Sequence, residues 1–166
     1  MFTNTLSGET VFKIVVFAGD EARPRELLGA MGAALPRFGS VGEAPGGAGL
    51  VFDPRFDAAG VPGRYTFLAV DDPRAREHSL ADADAALIVA DSAGERDFLV
   101  KVLEQLAPAL PCAIAAVADD AAAPHPATFH ATLADPVGVF KTVVKALLTV
   151  RREGRLVEHN RSAGPS

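Results

Sequence analysis

The chain has 166 residues, 49% of them hydrophobic and 22% charged, which suits one folded domain with its own core and excludes a disordered polypeptide. A formal net charge of -5, with no lysine-arginine run beyond Arg151-Arg152, argues against a nucleic-acid-binding surface and against an anionic-membrane footprint. The single cysteine, Cys112, sits in the apolar run "PCAIAAVA" and suits a buried small hydrophobe better than a nucleophile. The opening "MFTNTLSGET" carries no basic segment followed by an apolar one, and no run approaches the ~20 apolar residues of a membrane helix. A cytoplasmic location is expected.

Residues 1–10 form a lead-in segment. Residues 11–18, "VFKIVVFA", predict a strand, and Pro24 at a first helical position predicts a helix over 24–35 with Leu27, Leu28, Met31 and Leu35 on its apolar face. Gly29 and Gly32 weaken that helix by about 1 kcal/mol each relative to alanine. The glycine- and proline-rich stretch 36–49 is expected to be loop. Two extended segments joined by a Gly-Pro-Gly turn predict an antiparallel hairpin over about 50–70. A loop and a short polar helix then lead to a strand at 85–90.

"ERDFLVKVLEQLA" predicts a helix with Phe98, Leu99, Val102, Leu103 and Leu106 on one face. Strands follow at 112–118 and near 129–133, and then a helix over about 137–151 buries Val139, Phe140, Val143, Val144, Leu147 and Leu148. The segment 152–166 lacks such a pattern and is expected to be a frayed tail beyond a single domain over 11–151. This alternation implies an α/β fold with a mostly parallel sheet, to which the hairpin adds one antiparallel edge strand.

A strand, a loop opening on glycine and a helix is also the layout of a phosphate-binding loop, G-x-x-x-x-G-K-[ST]. Gly19 matches it. Pro24, Arg25 and Glu26 stand where glycine, lysine and serine or threonine belong. Counting from Lys13 shifts the register and puts Arg23, Pro24 and Arg25 at the critical positions instead. Pro24 has no amide hydrogen to donate, and Glu26 would set a carboxylate against a triphosphate.

The order of elements, with "FKIVVFAGD", "ADAALIVADSAGERDFLVKVLEQL" and "FHATLADPVGVFKTVVKALL", resembles the small Ras-like GTPases over roughly residues 11–150. The opening "NTLSGETVFKIVVF" looks most like the bacterial gliding-motility polarity GTPases. The resemblance implies a three-layer P-loop-type sandwich around a six-stranded sheet. At the family's Asp-x-x-Gly, however, stands Asp71-Asp72-Pro73-Arg74, with no glycine and no glutamine after it to orient water. At its guanine-reading Asn-Lys-x-Asp, Ala116-Val117-Ala118-Asp119 keeps only Asp119. No threonine in 36–49 is present to close over magnesium.

Asp20, Glu21, Asp71, Asp72, Asp91, Asp119 and Asp120 all fall just after expected strands, where ligands of doubly wound sheets bind. They form either a solvated acidic rim, partly neutralised by Arg23, Arg25, Arg74 and Arg76, or a weak divalent-cation site. His78, His125, His130 and His159 lack zinc-ligand spacing, and Ser92 lacks a nucleophile-elbow surround. No metal, cofactor or catalytic residue is assigned.

The expectation is therefore a degenerate, non-enzymatic GTPase-like domain that acts by binding protein. Two alternatives stay open, a divergent GTP binder and a domain resembling bacterial receivers. The partner-binding edge is expected on the hairpin's outer strand, at Phe52, Arg55 and Phe56, beside the segments 36–49 and 71–80. The resemblance suggests a roadblock-type dimer as partner, with self-association equally open.

Overall fold

The computed structural model describes residues 2–3, 10–35, 39–44, 47–52, 64–70, 72–117, 129–132 and 134–146. In chain order the elements are β1 (Phe2–Thr3), β2 (Thr10–Ala18), α1 (Arg23–Ala34), β3 (Gly39–Ala44), β4 (Gly47–Phe52), β5 (Arg64–Val70), a 3-10 turn (Pro73–Ala75), α2 (Arg76–Leu80), β6 (Ala85–Ala90), α3 (Ala93–Leu106), β7 (Cys112–Ala116) and β8 (Phe129–Thr132). A final helix, α4, runs over residues 136–146.

The strands join in one sheet of order β3-β4-β5-β2-β6-β7-β8, with β1 paired to β2. From β5 to β8 every neighbouring pair is parallel. The α/β class and the mostly parallel sheet are thus as expected. The expected antiparallel pairing of the hairpin strands is present too, with Leu50 opposite Phe67.

Three expectations about the sheet are corrected. The stretch 36–49 is not all loop, because Gly39–Ala44 forms β3 and Gly47 already begins β4. Backbone pairing to β5 through β4 overrides the weak strand preference of glycine there. Beyond β5 the sheet therefore carries two antiparallel strands rather than one, and with β1 it counts eight strands among the described residues rather than six. Finally, Phe52 does not lie on an open edge: it pairs with Gly39 on one side and Tyr65 on the other. Among the described residues the edge belongs to β3. Arg55, Phe56 and the tail 152–166 lie outside the described residues.

Strands buried on both faces are continuously apolar, and β6, "AALIVA", is buried along its whole length. On one face, Phe12, Ile14 and Val16 of β2 pack with Tyr65, Phe67 and Leu87 against Leu27, Leu28 and Met31 of α1 and Val139, Phe140, Val143 and Val144 of α4. Phe12 stacks on Tyr65 at 5.2 Å between ring centroids, and Tyr65 meets Phe140 edge-on at 5.4 Å. On the other face, Val15, Phe17, Ile88 and Ile114 pack against Leu99, Val100 and Leu103 of α3. Leu147 and Leu148 lie outside the described residues.

The face of α3 also differs from expectation. Leu99 and Leu103 are buried, but Arg96 and Val100 share that face, while Phe98 is 63% exposed and Leu106 38% exposed. At about 100° per residue, the buried positions 96, 99, 100 and 103 form one stripe and Phe98 lies outside it.

Candidate functional site

The central strand β2 ends at Ala18, and the chain turns through Gly19–Ala22 into α1. β5 and β6 flank β2 on either side, so this turn opens at the carboxyl end of a parallel sheet, where doubly wound folds hold their ligands. Residues 19–26 are therefore the part of the chain where anion-binding chemistry would be found.

Three of the amides at this turn are already engaged. Gly19 N donates to Glu95 Oε1 across 3.1 Å. Asp20 turns back on its own loop, its Oδ1 accepting from Ala22 N at 2.9 Å and its carbonyl from Arg23 N at 3.2 Å. That local closure is the usual behaviour of aspartate before a helix. Pro24 stands second in α1 rather than first and is buried; it has no N–H to offer. A phosphate needs converging amides and a cation. Here the amides of Gly19, Ala22 and Arg23 point at oxygens of the chain itself.

The carboxylate on Gly19 comes from the far side of the sequence. β6 ends at Ala90, and Ser92 caps α3 by accepting from Glu95 N at 3.2 Å. In a capping box the glutamate would reach back to the backbone of the cap residue. Glu95 instead crosses to the β2–α1 turn. The fit is close: a Cβ on Gly19 would stand 2.8 Å from Glu95 Oε1 and 3.1 Å from its Cδ. Glycine at 19 thus admits a side chain here, and no left-handed backbone demands it.

One cation beside the turn, Arg23, is paired as well. Arg23 meets Glu26 at 3.0 Å and Asp91 at 3.2 Å. The hydrogen bond to Glu26 and then the charge of Asp91 hold the guanidinium above its ordinary pKa. The Arg23–Asp91 contact is an ion pair by distance only, since Arg23 Nε and Asp91 Oδ1 are buried without hydrogen-bond geometry. Arg76, from α2, donates from Nη2 to Ala18 O at 2.7 Å and lies over the Phe17 ring at 5.3 Å. Burial pulls its pKa down, opposed by the charge of Glu21. It closes the carboxyl end of β2.

Of the acidic rim, Asp20 and Asp72 are taken up by backbone amides, Asp72 Oδ1 accepting from Arg74 N at 2.9 Å, and Asp91 pairs with Arg23. Asp71, Asp119 and Asp120 lie outside the described residues. Among the described residues no group of three histidine, cysteine or carboxylate side chains is placed to hold a metal ion. Cys112 is buried, and burial pushes its thiol up to about 12. No described helix is long and apolar enough to cross a membrane.

The structure therefore brings Gly19, Pro24, Arg25 and Glu26 together at the head of α1. It adds Glu95 and Asp91 as partners that the loop pattern does not contain. Glu95 is 76 residues from Gly19 in sequence, so no local pattern links them. No protein family matches this chain, and no curated protein matches it either.

Proposed function

We propose that the chain is a degenerate small-GTPase-like domain, a three-layer sandwich by descent, which has lost nucleotide binding and hydrolysis and acts by binding protein. The observation that carries this reading is the Glu95 carboxylate on the Gly19 amide. A triphosphate entering the turn would have to displace that carboxylate and approach Glu26 at the head of α1. It would do so without the lysine that neutralises phosphate in a working loop. Arg23, a cation next to the turn, is held by Glu26 and Asp91.

A fold that keeps its frame and fills its ligand loop internally retains only its surfaces for function, which favours constitutive protein binding in the cytoplasm over a nucleotide-driven switch. A roadblock-type dimer or a second copy of the chain are the partner classes that follow.

The test is thermal unfolding with millimolar GTP, GDP or ATP and magnesium. A ligand at a hundred times its dissociation constant stabilises a fold by about 2.7 kcal/mol, enough to move the melting midpoint by several degrees. The expected result is an unmoved midpoint, with phosphate release no greater than that of Glu26→Ala. A reproducible rise, or nucleotide released when the purified protein is denatured, would install the divergent GTP binder in its place.

A further inference from the structure

We propose that the Ala18–Gly19 peptide is a clamp that couples α2 to α3 across the end of β2, so that loosening one helix loosens the other. Such a link goes beyond the protein-binding reading above and holds whether or not that reading does. Two hydrogen bonds meet on this one peptide group. The carbonyl of Ala18 accepts from Arg76 Nη2 at 2.7 Å, and the N–H of Gly19 donates to Glu95 Oε1 at 3.1 Å.

The sheet explains why the two partners come from different helices. Lys13 O accepts from Asp84 N, at the start of β6, and carbonyls alternate sides along a strand, so the Ala18 carbonyl faces β5. A trans peptide points its N–H the other way, and that of Gly19 therefore faces β6. α2 follows β5 in the chain and α3 follows β6. Each helix thus supplies the side chain for the end of the peptide that faces its own strand. Both side chains stand in first turns, Arg76 at the start of α2 and Glu95 in the cap of α3, where Ser92 Oγ holds the Glu95 amide at 3.2 Å.

Arg76 leans on this peptide. Its guanidinium lies over the Phe17 ring at 5.3 Å, burial lowers its pKa against the charge of Glu21, and its Nε is buried without a hydrogen-bond partner. A partly desolvated cation with an unmet donor is costly, and the Ala18 carbonyl and the Phe17 ring offset that cost. Partial double-bond character keeps the peptide's oxygen and hydrogen in one plane, so a rotation that frees one end turns the other away from its partner. A cation on the oxygen also polarises the N–H and strengthens its bond to the carboxylate.

The test is amide exchange and amide-proton shifts in the isotope-labelled full chain, native, Arg76→Ala, Glu95→Ala and Glu95→Gln, each confirmed folded by circular dichroism. Ile88, fully buried in β6, reports opening of the whole sheet and serves as the reference. In Arg76→Ala the Gly19 amide should exchange at least about tenfold faster relative to Ile88, and its proton should move upfield, although Arg76 binds the other end of the peptide. The Ala22 amide, held by Asp20 in the same turn, should keep its native rate. In Glu95→Ala the amides of Ser79 and Leu80 in α2 should exchange severalfold faster against the same reference. Glu95→Gln, which keeps an oxygen acceptor, should restore most of that protection. A Gly19 amide indifferent to Arg76→Ala, an α2 indifferent to Glu95→Ala, or faster exchange that Ile88 and Ala22 share equally would each overturn the proposal.

Discussion

Glu95→Ala removes a carboxylate from Gly19 N, and the cost follows from the geometry. A hydrogen bond to a charged acceptor contributes about 1.5–3 kcal/mol when buried. Glu95 is only half-buried and the bond measures 3.1 Å, so about 1 kcal/mol is the appropriate figure after solvent screening. Loss of an acid from the first turn of α3 adds about 0.3–1 kcal/mol. Gly19→Ala attacks the same bond from the other end, because its Cβ would stand 2.8 Å from Oε1. The flexible carboxylate can swing away, so the cost is again about 1 kcal/mol, the bond itself. In the Glu95→Ala background the same Cβ meets no carboxylate. There it should be neutral, or stabilising by about 0.4–1 kcal/mol through the stiffer unfolded chain.

The two substitutions should therefore couple by at least about 1 kcal/mol in a double-mutant cycle, well above the ~0.5 kcal/mol within which independent sites add. Urea unfolding of the native chain, both single variants and the double variant measures this, with unchanged slopes as the condition for comparison. Additive costs would show that Glu95 does not hold the turn, and the structural ground for a self-occupied phosphate loop would be lost.

Cys112 makes stability depend on alkaline pH. Its thiol is raised from an ordinary 9.0 to about 12 by burial, so the folded state keeps its proton while the unfolded chain loses it. The contribution is fully present below the unfolded value and is lost as pH rises from about 9.0 toward 12, at about 1.4 kcal/mol per pH unit. Cys112→Ala should remove that slope in chemical unfolding between these limits, and parallel profiles for variant and native chain would contradict it. On α3, Leu99→Ala should cost about 2–5 kcal/mol and Phe98→Ala no more than about 0.5 kcal/mol; equal costs would return Phe98 to the buried face.

Much of the scaffold is legible in the chain because its signals are local. "FKIVVFA" and "AALIVA" are continuously apolar because β2 and β6 are covered on both faces, and their limits follow from the runs themselves. Pro24 marks the start of α1 to within one residue because its fixed φ suits a first turn. β3 was not legible. Glycine has no side chain to create a period, and Gly39–Ala44 is extended because β4 supplies a hydrogen-bonding partner. Phe98 lies off the face that spacing predicts for a related reason: apolar spacing admits two overlapping stripes on one helix, and only the sheet beneath α3 selects between them.

The candidate site divides in the same way. Composition and spacing alone determine that the turn after β2 lacks the lysine, the hydroxyl and the amide that a phosphate loop requires, since Pro24, Arg25 and Glu26 are covalent facts. What occupies that turn is decided in three dimensions. Glu95 reaches Gly19, and Asp91 reaches Arg23, because parallel pairing of β2 with β6 sets Ala18 opposite Val89 and so brings the residues after both strands to one end of the sheet. A contact spanning 76 residues leaves no trace in local periodicity. It exists because the sheet, assembled by burial on both faces, holds the ends of two strands distant in sequence within reach of a single hydrogen bond.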